Sequence, residues 1–124
     1  MLSTAEIKSL IASGEGYNVE FKRNIPNKVK EVTEEICAFA NAAGGTILLG
    51  VDDNNVIQGI TFNNAKHSAL QNSINEITPA LHCEIYPLEV DGKELVLIEV
   101  PSGESKPYVL SGAIYVRQGP NSKN

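Results

Sequence analysis

Three acidic positions in this chain could do chemistry: Glu15, Glu20 and the pair Asp52-Asp53. Glu20 stands mid-strand with Lys22 two residues on, so the two side chains share one face. Glu15 lies in a glycine-flanked loop entering that strand, and Asp53 ends the next one. If the two strands are neighbours, Glu15, Glu20 and Asp53 come within reach of one divalent ion, Mg²⁺ or Mn²⁺. Such a cluster with a lysine beside it suits metal-assisted phosphodiester cleavage. The metal would activate water, and Lys22 would steady the developing negative charge. The same residues have a plainer use. Asp-Asp-Asn-Asn is ordinary turn chemistry, and Glu20 with Lys22 makes a solvated strand face.

The basic residues concentrate at Lys22, Arg23, Lys28 and Lys30, and Lys106 and Arg117 join them if the last strand lies nearby. As a functional feature this group contacts nucleic-acid phosphates. As a structural one it is an edge strand and helix start, where lysine discourages edge-to-edge pairing. Gly44-Gly45 could cradle a phosphate on backbone amides, but such a pair more often supplies the positive φ that ends a helix. The phosphate-loop pattern G-x-x-x-x-G-K-[ST] is absent, so nucleotide hydrolysis has no motif here. His67 and His82 are isolated, and Cys37 and Cys83 have no metal-ligand spacing and read as buried thiols.

The elements that must position these residues follow from periodicity. Ser3 with Glu6 makes a capping box opening a helix through about Ala12, with Leu2, Ile7, Leu10 and Ile11 inward. Tyr17, Val19 and Phe21 alternate with Asn18, Glu20 and Lys22, predicting a half-exposed strand. Val29, Val32, Ile36, Phe39 and Ala40 predict an amphipathic helix from Lys28 to Asn41. Thr46 to Val51 is a continuous apolar strand, turned by Asp53-Asn54-Asn55 into a return arm Val56 to Ile60. A helix from Asn63 to Ile77 follows, burying Ala65, Leu70, Ile74 and Ile77. Cys83 to Val90 and Glu94 to Val100 form a hairpin about Asp91-Gly92, and a last strand pair involves Val109 and Ile114 to Arg117. The order predicts one α+β domain over residues 1–118, with about three helices on a mixed, mostly antiparallel sheet. Residues 119–124 are expected to be a frayed tail cut from a longer protein.

Net charge is −5 with a pI near 5.0, which argues against a domain that lives on non-specific phosphate contacts but leaves room for a local basic strip. No apolar run is long enough to span a membrane, and the N-terminus lacks the form of a signal peptide, so a cytoplasmic chain is expected.

The ordered set of short motifs resembles a known family. E-x4-E-F-K (Glu15 to Lys22), A-F-A-N-x-x-G-G (Ala38 to Gly45) and L-x-G-V-D-D (Leu48 to Asp53) are followed by I-E-V-P-x-G (Ile98 to Gly103), K-P-Y (Lys106 to Tyr108) and Y-V-R-x-G (Tyr115 to Gly119). Together they resemble the Schlafen-type AlbA-like domain over nearly the whole chain. The resemblance implies the N-terminal domain of a bacterial DNA-binding transcriptional regulator, a group some of whose members carry a divergent ATPase label. It also implies a nuclease alternative. Vertebrate Schlafen proteins cleave RNA with three acids that match Glu15, Glu20 and Asp53, in a duplicated domain whose second half here would have to come from a homodimer or from a missing half. A third expectation is a protein-interaction or dimerisation domain. Nucleic acid, DNA or RNA, is the expected partner.

Overall fold

In the computed structural model, which describes residues 1–118 and 121–123, the chain folds around the strand that follows Gly44. Ser3 caps α1 (Thr4–Ser13) by accepting from the Glu6 amide while Glu6 accepts from the Ser3 amide, the reciprocal box that the spacing predicts. Next come β1 (Val19–Lys22), α2 (Lys30–Ala40), β2 (Gly45–Leu49) and α3 (Asn64–Ile74). They are followed by β3 (Glu84–Val90), β4 (Lys93–Val100), β5 (Val116–Gln118) and β6 (Asn121–Lys123). Four strands form one sheet in the order β1-β2-β4-β3, with β1 parallel to β2 and the other pairs antiparallel. This is the α+β fold with a mixed sheet and three helices expected from the sequence.

Parallel neighbours need a crossover, and α2 is that crossover, so it must lie on one face of the sheet. Val32, Ile36, Phe39 and Ala40 point inward from it onto Ile47, Leu49, Val96 and Ile98, and Leu70 and Ile74 of α3 complete that cluster. The opposite face carries Phe21, Leu48, Leu95 and Leu97, covered by Ile7 and Ile11 of α1. Ile47, Leu48 and Leu49 are all 0% exposed, as a strand buried on both faces requires. Asp91 and Gly92, both at positive φ, make the tight β3–β4 turn.

Several expectations change in three dimensions. The β1 face carrying Glu20 and Lys22 is not solvated, because α2 lies over it and leaves Glu20 only 8% exposed. Val56 to Ile60 does not return as a hairpin arm. β2 already has β1 on one edge and β4 on the other, so the segment makes a single bridge, Val51 to Ile57, and crosses the strand end. Val109 pairs with Thr78, not with 114–117, and β5 pairs with β6 instead. The third helix stops at Ile74, and Ala65 is exposed. Of the expected tail, Gly119, Pro120 and Asn124 lie outside the described residues, while Asn121–Lys123 pairs with Val116–Gln118.

Candidate functional site

Because β1 and β2 run in the same direction, with Lys22 opposite Leu49, their carboxyl ends open together. Such a junction is where ligands of α/β units are commonly met. Gly50, at φ +106°, turns the chain away from the sheet, and its amide donates to the Lys22 carbonyl at 2.7 Å. A Cβ at Gly50 would stand 2.8 Å from Leu95, so the turn requires glycine. The chain then closes a loop in which the Asp52 amide donates to the Val56 carbonyl. The result is an open cleft of about 590 Å³ lined by Glu15, Glu20, Phe21, Lys22, Arg23, Asp52, Asp53 and Asn54. The three acids and the two cations singled out by spacing therefore face one space.

Three of the four acids nevertheless have an occupation. Glu15 is exposed, but its carboxylate accepts from the Phe21 amide at 3.0 Å. That contact, with the Gly16 amide on the Val19 carbonyl, covers the free edge of β1. Asp52 accepts from the Asn54 and Val56 amides and the Gln58 amide group. Chiefly through Gln58, with Arg23 adding its charge, these contacts hold the Asp52 carboxyl below its ordinary value. Asp53 projects from the turn, exposed.

Glu20 is the buried member, packed among Glu15, Glu35, Lys22 and Arg117. Burial, a hydrogen bond with Glu15 and the charges of Glu35 and Glu15 push its carboxyl up to about 8, against the pull of Lys22. The Arg117 guanidinium, 3.4 Å away, also opposes the rise, but two neighbouring carboxyls and lost solvation outweigh one long contact.

The predicted cations part company, with Arg23 alone exposed in the cleft lining. Lys28 and Lys30 are exposed at the start of α2. Lys22 pairs with Glu35 of α2 at 2.8 Å, both half-buried or better. Arg117 is withdrawn from the surface and so is corrected out of the phosphate-facing set. It is 5% exposed, sits 4.2 Å above the Phe39 ring, and donates to the Gly16 and Tyr17 carbonyls. It latches the Glu15 loop onto Glu20. Lys106 is also apart: its ammonium donates to Ser102, which is bound to the Ala42 carbonyl beyond the far end of β2.

Gly44 and Gly45 lie at that far end too, away from the cleft. Gly44, at φ +81°, ends α2 with its amide on the Phe39 carbonyl, and a Cβ on Gly45 would stand 2.3 Å from the Phe39 ring. Cys37 and Cys83 are buried thiols as expected, and burial pushes Cys83 up to about 12. His67 packs edge-on against Phe62, and His82 lines a separate cleft of about 370 Å³ with Glu84 and Glu99.

Two residues escaped the sequence reading. Glu35 is one turn beyond Glu31 and flanks the core position Ile36, so helical spacing alone placed it at the edge of the buried stripe; nothing local told which strand that edge covers. Asn41 donates to the Tyr108 and Tyr115 carbonyls and accepts from the Tyr108 amide, pinning the segment that leads to Arg117. Its place in A-F-A-N was the available signal.

A divalent ion was expected on Glu15, Glu20 and Asp53. Among the described residues no three His, Cys, Asp or Glu side chains come together closely enough to hold a metal ion. Glu15 is engaged by the Phe21 amide and Asp53 stands out in its turn, so the acids as placed do not fit the ion.

Comparison with known proteins agrees with this architecture. The N-terminal domain of an ATP-dependent DNA helicase RecG-related protein from Nitrosomonas europaea superposes with a TM-score of 0.64 at 26% identity, over 99% of this chain and 93% of that one. The DIP2311 protein from Corynebacterium diphtheriae gives a TM-score of 0.68 at 20% identity over 96% of this chain, which shares the fold but spans only 25% of that protein's length. The family model described as Schlafen, AlbA_2 matches residues 15–124, from the first acid of the cleft onward. The chain belongs to the Schlafen AlbA_2 family.

Proposed function

We propose that this chain is a nucleic-acid-binding module of a transcriptional regulator, acting in the cytoplasm, with the cleft at the ends of β1 and β2 as its contact surface. The observation that carries the reading is the position of Arg23 in that cleft, followed in the chain by exposed Lys28 and Lys30. Membership of the Schlafen AlbA_2 family and the likeness to a helicase-related domain support it. Arg23, Lys28 and Lys30 supply the phosphate contacts, and the surrounding acids keep the affinity modest. Lys22 stands in the same cleft, already paired.

The test is retention of labelled single-stranded RNA, transfer RNA and duplex DNA across a salt series. Affinity should fall steeply with salt, and Arg23→Ala should lower it and reduce the logarithmic slope by about 0.9 on duplex DNA. Binding indifferent to salt, or none at low salt, would overturn the reading. The second reading, a Mg²⁺- or Mn²⁺-dependent nuclease, draws on Glu15, Glu20 and Asp53 lining one cleft with Lys22, and requires the acids to draw closer together than they stand. Cleavage that stops in EDTA and in a folded Glu20→Ala variant would replace the binding module by that enzyme. A concentration-dependent mass with no probe retained would instead indicate a dimerisation domain.

A further inference from the structure

The ion pair between Lys22 and Glu35 has an unusual shape. Lys22 projects from β1 onto the face covered by α2, and its ammonium meets Glu35 Oε1 at 2.8 Å. Glu35 Oε2 is buried and has no hydrogen-bond partner among the described residues. A carboxylate kept only to anchor a lysine would be expected to satisfy both oxygens, because an unpaired buried oxygen costs stability. The surroundings add to that cost. Glu15 and Glu20 lie near Glu35, Glu31 adds its charge at Lys22, and the side chain of Glu35 is only 15% exposed. Moving Lys22 out to a phosphate would leave Glu35 a buried carboxylate with the Arg117 charge alone set against those of Glu15 and Glu20.

We propose that Glu35 withholds the Lys22 ammonium from phosphates entering the cleft, so that the module binds nucleic acid with one cation fewer than its sequence displays. Glu35 is thus a positioning residue that sets the strength of phosphate binding through Lys22. The inference rests on the binding-module reading, and its consequences are separable from it.

The experiment compares the native domain, Glu35→Gln, Lys22→Met and the double variant, with the same RNA and duplex DNA probes from about 0.05 M to 0.2 M salt. Glutamine keeps the shape of the side chain and removes the charge. Glu35→Gln should bind several-fold more tightly at the low end, with a slope steeper by about 0.9 on duplex DNA, equivalent to one added phosphate contact. Lys22→Met alone should change little, and in the Glu35→Gln background it should abolish the gain. An unchanged slope in Glu35→Gln, or a gain that survives Lys22→Met, would overturn the proposal. A readout without nucleic acid separates the two readings: reductive methylation followed residue by residue by mass spectrometry. Lys22 should react more slowly than Lys28 and Lys30 in the native domain and reach their rate in Glu35→Gln. That acceleration in a domain that retains none of the probes would sustain the Lys22–Glu35 restraint and remove the nucleic-acid function. A Lys22 rate unmoved by Glu35→Gln would refute the restraint itself.

Discussion

At the scale of single residues, Glu20 shows how one buried carboxyl links the site to stability. Its position among Glu15 and Glu35 under α2 raises its carboxyl from 4.5 to about 8. Between those values the folded chain holds a proton that the unfolded chain has released. The unfolded state therefore binds fewer protons, and stability falls as pH rises through that window. Below pH 4.5 both states are protonated, and the penalty is absent. Glu20→Gln carries no charge to bury, so it should flatten the profile. Thermal melts at pH 5.5 and pH 8.5 should show a larger gain for the variant at the higher pH, on the order of 1–2 kcal/mol after allowance for the Arg117 contact. An equal effect at both pH values would mean that Glu20 stays ionised throughout, held by Arg117.

At the scale of elements, the end of α2 joins distant parts of the chain. Asn41 holds the backbone at Tyr108 and Tyr115 with three hydrogen bonds, and Cys37 one turn earlier adds its thiol to the Tyr108 carbonyl. The segment so pinned ends in Arg117, which reaches Gly16, Tyr17 and Glu20 across the other end of the sequence. The helix thus fixes the Glu15 loop at second hand. Asn41→Ala should cost about 2–3 kcal/mol, since it leaves backbone groups at Tyr108 and Tyr115 unpaired. It should also loosen the cleft. Denaturant unfolding would measure the first effect, and hydrogen exchange at the Phe21 amide, capped by Glu15, the second. Unaltered protection at Phe21 would show that the loop holds without its latch.

At the scale of the whole molecule, the proposed binding module would have a body of net charge −5 meet a polyanion at one restricted place. Its long-range field repels nucleic acid, whereas the cations beside the cleft attract it at contact. Salt separates the two, because the Debye length is about 30 Å at 0.01 M and about 8 Å at 0.15 M. Glu84 begins β3 on the edge opposite β1, three strand spacings or about 14 Å across the sheet, and at the other end of the strands. Glu84→Gln should therefore raise affinity up to about two-fold at 0.01 M salt and not at 0.15 M. A gain that persists at 0.15 M would place Glu84 in the contact surface itself.

Local physical chemistry already determined much of this protein. The Ser3–Glu6 box, the glycine exit from α2, the apolar run of β2 and the Asp91-Gly92 turn are short-range matters of hydrogen bonding, backbone freedom and periodicity, and each is found where its residues require it. The meeting of Glu15, Glu20, Lys22 and Asp53 at one cleft also followed once β1 and β2 were neighbours. The tertiary structure alone decided what those residues face. A period-two pattern reads as half-exposed whether the polar face meets water or a helix, so the burial of Glu20 and the pairing of Lys22 with Glu35 came only with the α2 crossover. The same holds for Arg117, one more cation in the sequence, whose withdrawal over Phe39 depends on where the segment after Asn41's partners is carried. Charge in a sequence is a local property, but its availability to a ligand is set by what the fold places against it.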